Sequence, residues 1–523
     1  MVETDAIEKV IRVLPENLVE KRLFSKFFNH QSRLNNSYIF ELPVDRRANN
    51  GSQMFTFMVN PSKSKEKGVI EAAKNNLKLG YQNQLTYRNT DGSFSVFEES
   101  EGGVFLTAFV AQWFKNAANH IGDVDDNVVT KAFEWLASTQ QNSGRFDEVG
   151  EVYDKVIQGG LRDGIALTSF VLIAFLENED AKIAYSTVVE KSVQYLQERL
   201  SSVNDLYDLS IATYALLLNN LSSKDDLIRK LLSKATNDGN YTFWDREPHS
   251  IEATSYALLA LIQANNSNTD QYVRVMRWLV NERYVTGAFP RTQDTFVGLK
   301  ALTKMSVVMI PPLRNDYEIQ LGYNNQIVNF KDVSRSMEAQ SMAQSIPSDV
   351  EKLTVHVGGL GNGLLDVTYE YTKDLCNYKN RFDLKLESLN TNSESELQLK
   401  VCANYIPKDT DLRSNMALIE VYFPSGYVVD KNPISRASGD SPIKKTEIRF
   451  GGTSVVLYYS NMGANQNCFI ITAYQRFKVS LRRPAYVLVH DYYNPSLNGI
   501  KVYELKDQNG LFNSESNECS RSV

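Results

Sequence analysis

Between Gly68 and about Met309 two kinds of helical pattern alternate along the chain. One kind is amphipathic, with its charges on one face: VIEAAKNNLKLGYQNQL, NVVTKAFEWLAS, AKIAYSTVVEKSVQYLQERL, DDLIRKLLSKA and DQYVRVMRWLVNER. The other carries almost no charge through its middle. Its clearest copies are ALTSFVLIAFLE (166–177), SIATYALLLN (210–219) and EATSYALLALIQ (252–263), with weaker copies in FLTAFVAQWF (105–114) and DTFVGLKALT (294–303). A helix apolar all round is buried all round, whereas a one-sided helix lies outside. Each apolar copy has a threonine in its first half: Thr107, Thr168, Thr213, Thr254 and Thr295, the last three 41 residues apart. Such a period marks stacked supersecondary units. Alternating inner and outer helices form a closed α/α toroid or a solenoid. The turns DGSF (91–94), SGRF (143–146) and TGAF (286–289) link outer to inner helices, with Gly supplying the positive φ and Phe packing back.

The flanks switch to strands. KVIRVLP, SYIFELPV and QMFTFMV are β-rich runs before the charged junction PSKSKEKG (61–68). After Pro311-Pro312 the period becomes two, through DYEIQLGYNNQIVNF, EKLTVHVGG and LLDVTYEYT, with VGGLGNG (357–363) read as a hairpin turn. A strand follows this glycine cluster, so it is not a dinucleotide loop. From about Arg381 some seven strand-like runs, among them LQLKVCANY, MALIEVYFPS and FIITAYQRF, describe a self-contained β-sandwich of about 130 residues. The tail NSESNECSRSV reads as disordered.

A chain of 523 residues is too long for one core, so two to four domains are expected. Its net charge of -6 argues against nucleic acid as a partner. No apolar run reaches the roughly 20 residues that span a bilayer, and the start, MVETDAIEKV, has no signal-peptide pattern. The cysteines, Cys376, Cys402, Cys468 and Cys519, all fall in the last third without metal-type spacing. Cys402 and Cys468 lie in apolar strand segments and read as disulfide partners across the sandwich, which implies an oxidising compartment; two buried free thiols are the alternative. Sequons begin at Asn35, Asn50, Asn220, Asn240 and Asn265 and add to a secreted reading. The histidines, His30, His120, His249, His356 and His490, are scattered and read as surface or strand residues. No metal-ligand set, cofactor site or catalytic motif of the nucleophile-elbow, P-loop or zincin type occurs.

Two features nevertheless suggest an enzyme. GDVDDN places Asp123, Asp125 and Asp126 in an Asp-x-Asp-Asp run that resembles the acid motif of terpenoid cyclases, themselves α/α toroids. Gln140, Gly144 and Phe146 resemble the Gln/aromatic motif of the same enzymes. The competing reading is that the three carboxylates cap the amphipathic helix that follows.

The matches with most residues behind them lie elsewhere. GYQNQLTYRNTDGSFSVF (80–97), IQGGLRDGIALTSFVLIAFLE (157–177) and IEATSYALLAL (251–261) resemble the α2-macroglobulin/complement superfamily, and within it the insect thioester-containing proteins. So do VCANYIP, SNMALIEVYFPSGYVVDKNPIS, FGGTSVVLYY and VHDYYNP in the sandwich. The resemblance implies a multidomain α + β chain in which an incomplete α/α toroid is inserted in a CUB-like β-domain and followed by a macroglobulin-type β-sandwich. Residues 1–60 and 310–378 are then the two halves of the CUB-like domain, and 61–309 is the thioester-type toroid without its first helix pair. Residues 379–512 are the receptor-binding sandwich, and 513–523 the disordered tail. Cys402 and Cys468 match a disulfide of that sandwich; Cys376 and Cys519 have no counterpart.

The departure from the family concerns its chemistry. Active members close an internal thioester within Gly-Cys-Gly-Glu-Gln, a stored electrophile for surface hydroxyls or amines. No cysteine here has Gly-Glu-Gln after it. Asp154 stands at the position that directs acyl transfer in relatives, and without a thioester it reads as a solvated loop carboxylate. The resemblance therefore implies an extracellular, non-enzymatic, complement-like or endopeptidase-inhibitor-like protein. It would bind proteases, microbial surfaces or immune proteins and receptors non-covalently, without a cofactor. The alternatives are a toroid enzyme of the cyclase kind and a splice or gene-model fragment without independent function.

Overall fold

The computed structural model describes residues 17–61, 67–98, 100–153, 164–219, 224–265, 269–309, 316–330, 342–374, 378–391, 393, 395–408, 411–479, 484–505 and 511–513. The predicted strand KVIRVLP and the tail 514–523 lie outside these residues.

Eleven helices form the middle of the described chain. They are α1 (Lys67–Leu85), α2 (Val104–Ala118), α3 (Asp126–Thr139), α4 (Ile165–Leu176), α5 (Glu179–Ala184) and α6 (Ser186–Leu200). They continue with α7 (Leu206–Leu218), α8 (Lys224–Ser233), α9 (Ser250–Gln263), α10 (Thr269–Asn281) and α11 (Thr292–Val308). The apolar copies α2, α4, α7, α9 and α11 are neighbours in that order. Every residue of α4 is buried, as a helix without a polar face requires. The outer helices α6, α8 and α10 each lie against two successive inner ones. Phe133 of α3, which packs on α2, also meets Phe175 of α4 at 5.0 Å between ring centroids. The first and last inner helices meet directly: Phe296 of α11 packs on Phe109 and Trp113 of α2 at 4.5 and 4.2 Å. No outer helix among the described residues covers that seam, and Leu299, Val307 and Val308 of α11 stay exposed. Helix α1 touches the ring core only near its C-terminal end, through Leu77, Tyr81 and Leu85. Its Ile70 and Leu79 are exposed.

The repeated threonine has a structural job. Oγ1 of Thr107, Thr168, Thr254 and Thr295 accepts the backbone N–H of Phe94, Phe146, Trp244 and Phe289 respectively, at 2.9–3.0 Å. Each incoming turn is thereby fixed to the inner helix it feeds. Gly144, at φ 86°, lets its turn lie against Lys191 of α6, where any Cβ would come 2.1 Å from a carbonyl oxygen. Thr213 is the exception. Its buried Oγ1 has no partner among the described residues; it is the eighth residue of α7, whereas the other four threonines are fourth or fifth in their helices.

Strands from both sides of the ring form one antiparallel sheet. β1 (Asn17–Glu41) and β2 (Met54–Pro61) precede the helices, and a small hairpin, β3 (Thr236–Asp238) and β4 (Tyr241–Phe243), sits within them. After the helices come β5 (Asp316–Tyr323), β6 (Gln326–Phe330), β7 (Met342–Ile346) and β8 (Lys352–Asp374). The sheet order is β6-β5-β8-β2-β7, with β1 also paired to β8. The glycine cluster 357–363 is not a hairpin turn: β8 runs through it unbroken, paired with β1. Its glycines are needed for a different reason. The β1–β8 register slips between His30 and Leu34, and Gly359, at φ 112°, lies so close to β5 that a Cβ would sit 2.2 Å from the Asp316 carbonyl oxygen.

The remaining strands are β9 (Tyr378–Asn380), β10 (Phe382–Leu389), β11 (Glu396–Tyr405), β12 (Ala417–Tyr422), β13 (Tyr427–Val428) and β14 (Ile434–Ser438). They end with β15 (Ile443–Arg449), β16 (Ser454–Tyr459), β17 (Asn467–Gln475), β18 (Ala485–Asp491), β19 (Asn498–Leu505) and β20 (Leu511–Asn513). One sheet runs β10-β11-β17-β13 with β14 on β17; the other runs β15-β16-β12-β18-β19-β20 with β9 on β19. Val401, Phe469 and Ile471 face Ile419, Val455 and Val487 in the core between them. Cys402 and Cys468 are disulfide-bonded, but within one sheet rather than across the sandwich. They are direct partners on β11 and β17. Strand alternation turns Val401 and Ala403 into the core, which leaves Cys402 on the opposite face.

Candidate functional site

The candidate site lies where the start of the ring meets the sandwich. Glu148, two residues after the SGRF turn that follows α3, accepts the N–H groups of Val104 and Phe105 at 2.5 and 2.9 Å, and so caps α2. Burial pushes its carboxyl above the usual range, against three backbone N–H groups that favour the anion. The chain then crosses to the sandwich. Tyr153 packs with Met416, Leu418 and Val456 in a small apolar cluster bordered by Phe97, Tyr458 and Tyr493. Its carbonyl oxygen accepts the Met416 N–H at 3.1 Å. Two polar contacts frame the cluster: Lys444 with Glu151 at 3.0 Å, and Lys445 donating to the Tyr87 hydroxyl at 3.4 Å. Burial, with the Glu151 carboxylate adding to it, holds the Tyr153 phenol protonated well above its ordinary range. The assembly is a protein–protein seam with a hydrogen-bonded rim. Among the described residues it positions no nucleophile activated by a base.

Inside the ring lies a second polar system that the apolar pattern concealed. Glu177, at the C-terminal end of α4, pairs with Lys300 of α11 at 2.6 Å and accepts from Tyr214 of α7 at 2.7 Å. Gln112 of α2 donates to the same carboxylate. Burial opposes the Glu177 anion, but Lys300, the Tyr214 hydroxyl and Lys304 outweigh it and hold the carboxyl below its usual range. Four inner helices thus share one carboxylate. A cavity of about 30 Å³ beside it is lined by Phe105, Phe170, Tyr256 and Phe296, among others. That is room for about one water, not for a polyprenyl chain. A further buried cluster joins Arg291 to Glu252 and Asp294, each at 3.0 Å, with His249 against Glu252 at 3.4 Å. His249 is thus neither a surface nor a strand residue: it is buried beside the start of α9 and stacks on Tyr207 at 4.6 Å. The signal available in sequence was a charge inside an apolar repeat, as at Glu252 and Lys300.

The residues of the cyclase-like motifs take structural places. Asp125 caps α3 by accepting the Asn127 N–H at 2.9 Å, and Asp123 pairs with Lys78 at 3.1 Å. Gln140 donates to the Val188 carbonyl and the Ser192 hydroxyl, both at 2.9 Å, and so ties a turn to α6. Asn35, Asn50, Asn240 and Asn265 are exposed. Asn240 is in the turn of the β3–β4 hairpin and Asn265 follows α9. Asp154, Asn220, Cys376 and Cys519 lie outside the described residues.

Comparison with known proteins adds the context. Residues 51–305 match the family described as the A-macroglobulin TED domain. Residues 311–371 match the second CUB domain of TEP1, and 412–504 the A-macroglobulin receptor binding domain. The chain is 49% identical to thioester-containing protein 1 allele R1 of Anopheles gambiae over 97% of its length, and 47% identical to allele S3 over 99%. It spans 41% of the length of each. Venom factor of Crotalus adamanteus is 27% identical over 84% of the chain and 28% of its own length. The match to allele R1 occupies 549 aligned positions; 97% of 523 residues is about 507, so that relative has about 42 residues without a counterpart here. The native α2-macroglobulin of Escherichia coli, from its MG7 domain to the C-terminus, has the same fold at a TM-score of 0.60 and 12% identity, covering 93% of this chain and 81% of that one.

Proposed function

The chain belongs to the α2-macroglobulin/complement superfamily, and we propose that it is an extracellular, complement-like immune protein that holds its partners without a covalent bond. The observation that carries this reading is the cysteine distribution. The four cysteines are at 376, 402, 468 and 519, so the segment that matches the thioester domain has no thiol from which a thioester could form. A relative's name records a thioester; the present chain keeps the scaffold and lacks the electrophile. We take the first helix pair of a thioester-type ring to be absent from this chain. Phe296 on Phe109 and Trp113 supports a ring that closes without it.

What remains is recognition. The receptor-binding sandwich and the ring are held together at Tyr153 and Met416, which presents both as one unit. Partners are proteases, microbial surfaces or immune receptors, bound non-covalently, and no bond-making step is required of Asp154 or of any other residue. Incubation with bacteria, followed by washing in denaturant, tests this. The account predicts complete release, whereas chain that survives the denaturant wash would refute it.

A further inference from the structure

A notch of about 410 Å³ opens between the ring and the CUB-like sheet, within the range of about 300–1,000 Å³ typical of clefts that take small ligands. Its sheet wall is β1, through Lys26, Asn36 and Tyr38. Its ring wall is α10, through Arg277 and Asn281, together with Asn240 and Tyr241 of the β3–β4 hairpin. Ser25 also lines the notch, and there the ring and the sheet are tied together. Ser25 donates to Asp366 at 2.6 Å, and Arg283, just past α10, reaches Ser25 at 3.4 Å and Asp366 at 3.9 Å.

One lining residue is itself an attachment point. Asn240-Tyr241-Thr242 is a glycosylation sequon, and Asn240 is exposed in the two-residue turn between β3 and β4. The hairpin is fixed at the notch. Thr242 donates to the Asn237 side chain at 2.8 Å, Asn281 donates to the Tyr241 hydroxyl at 2.8 Å, and Phe243 stacks on Trp278 of α10 at 5.1 Å. A saccharide attached at Asn240 therefore begins in the notch, whose lining matches the chemistry of an N-acetylated sugar. Arg277 is half-buried and makes no hydrogen bond or ion pair among the described residues. Its guanidinium and the Lys26 ammonium are donors for hydroxyl and acetamide oxygens, and no carboxylate is among the lining residues to neutralise them. Tyr38 and Tyr241 supply aromatic surface for the C–H face of a pyranose. Asn35 lies in a neighbouring groove walled by β1, β5 and β8 alone, where a glycan would join nothing to the ring.

We propose that Asn240 carries an N-linked glycan whose first N-acetylglucosamine residues seat in this notch and join the ring to the sheet; the assignment rests on the extracellular reading above. In the transfer, the Asn240 carboxamide nitrogen bonds to C1 of the N-acetylglucosamine of a lipid-diphosphate-linked oligosaccharide. The C1–O bond to the diphosphate breaks, and the amide loses one proton as the lipid diphosphate leaves. Thr242 is buried in the folded hairpin, so the transfer precedes folding.

Two measurements test the site and the seat. The first is peptide mapping of the natural protein after peptide:N-glycosidase treatment of the denatured chain in heavy-oxygen water, which converts each occupied asparagine to labelled aspartate. Label at Asn240 is expected. The second uses the full chain secreted from insect cells and the same enzyme on the folded protein. Release of the Asn240 glycan should be about tenfold faster from Arg277→Ala than from wild type, the scale of one hydrogen bond from a charged donor. Arg277 has no protein partner to lose among the described residues, so the variant keeps its fold. An unlabelled Asn240 overturns the site. If other sequons are then labelled, or Cys402 and Cys468 are oxidised, the extracellular reading stands; if neither holds, it falls as well. Equal release rates from wild type and Arg277→Ala overturn the seat.

Discussion

The role given to the repeated threonine can be tested with an internal control. In Thr168→Val the side chain keeps its shape, so no cavity opens, but the Phe146 N–H loses its acceptor at 2.9 Å. Both residues are fully buried, so water cannot replace the bond. An unsatisfied buried donor costs about 1–3 kcal/mol. In a domain of this size each 1 kcal/mol lowers Tm by about 2–4 °C. Thr213→Val makes the same chemical change where the hydroxyl has no partner among the described residues, so it should be neutral or slightly stabilising. Urea unfolding followed by far-ultraviolet circular dichroism, with thermal melts beside it, separates the two. A loss for Thr168→Val and none for Thr213→Val is expected. Equal losses, or no loss at Thr168, would refute the idea that these hydroxyls pin the incoming turns.

Two further substitutions probe the polar contacts. Glu177→Gln leaves Lys300 without its partner at 2.6 Å in a nearly buried site, which costs about 3 kcal/mol at neutral pH. Because the folded Glu177 is held below its ordinary value of 4.5, its stabilisation is present above that value and lost as pH falls through the folded one. The stability gap between wild type and Glu177→Gln should therefore narrow in acid, and a gap independent of pH would count against the network. Met416→Asp puts a carboxylate into the apolar seam beside Tyr153 and near Glu151. The ring and sandwich should then separate, which small-angle scattering would record as a larger radius of gyration; an unchanged radius would show that the seam does not hold them.

Much of the fold was legible because burial writes itself as a period. Helices α4, α7 and α9 show it in unbroken apolar runs, and the sandwich strands show it as alternation. Two kinds of feature were not legible. The glycines at 357–363 have turn composition, and only the approach of β5 at Gly359 explains why they sit within a strand. The Cys402–Cys468 bond could be guessed as a pair, but the register of β11 on β17 decides that it joins neighbours in one sheet. Charged residues within the ring were the other gap. Glu177, Lys300 and Gln112 are separated by up to 188 positions and meet only once the helices close around them. The site was legible mainly through what it lacks, since a missing cysteine needs no coordinates. The docking of Tyr153 on Met416 left no sequence signature.

The central claim is that this scaffold holds partners without an acyl bond, and methylamine tests it most directly. A thioester is opened by this small amine, which adds to the acyl carbon and frees a thiol. Intact-mass measurement of the natural protein before and after methylamine treatment should show no change, and thiol titration no newly released cysteine. A mass gain of one methylamine, with one new thiol, would contradict the account.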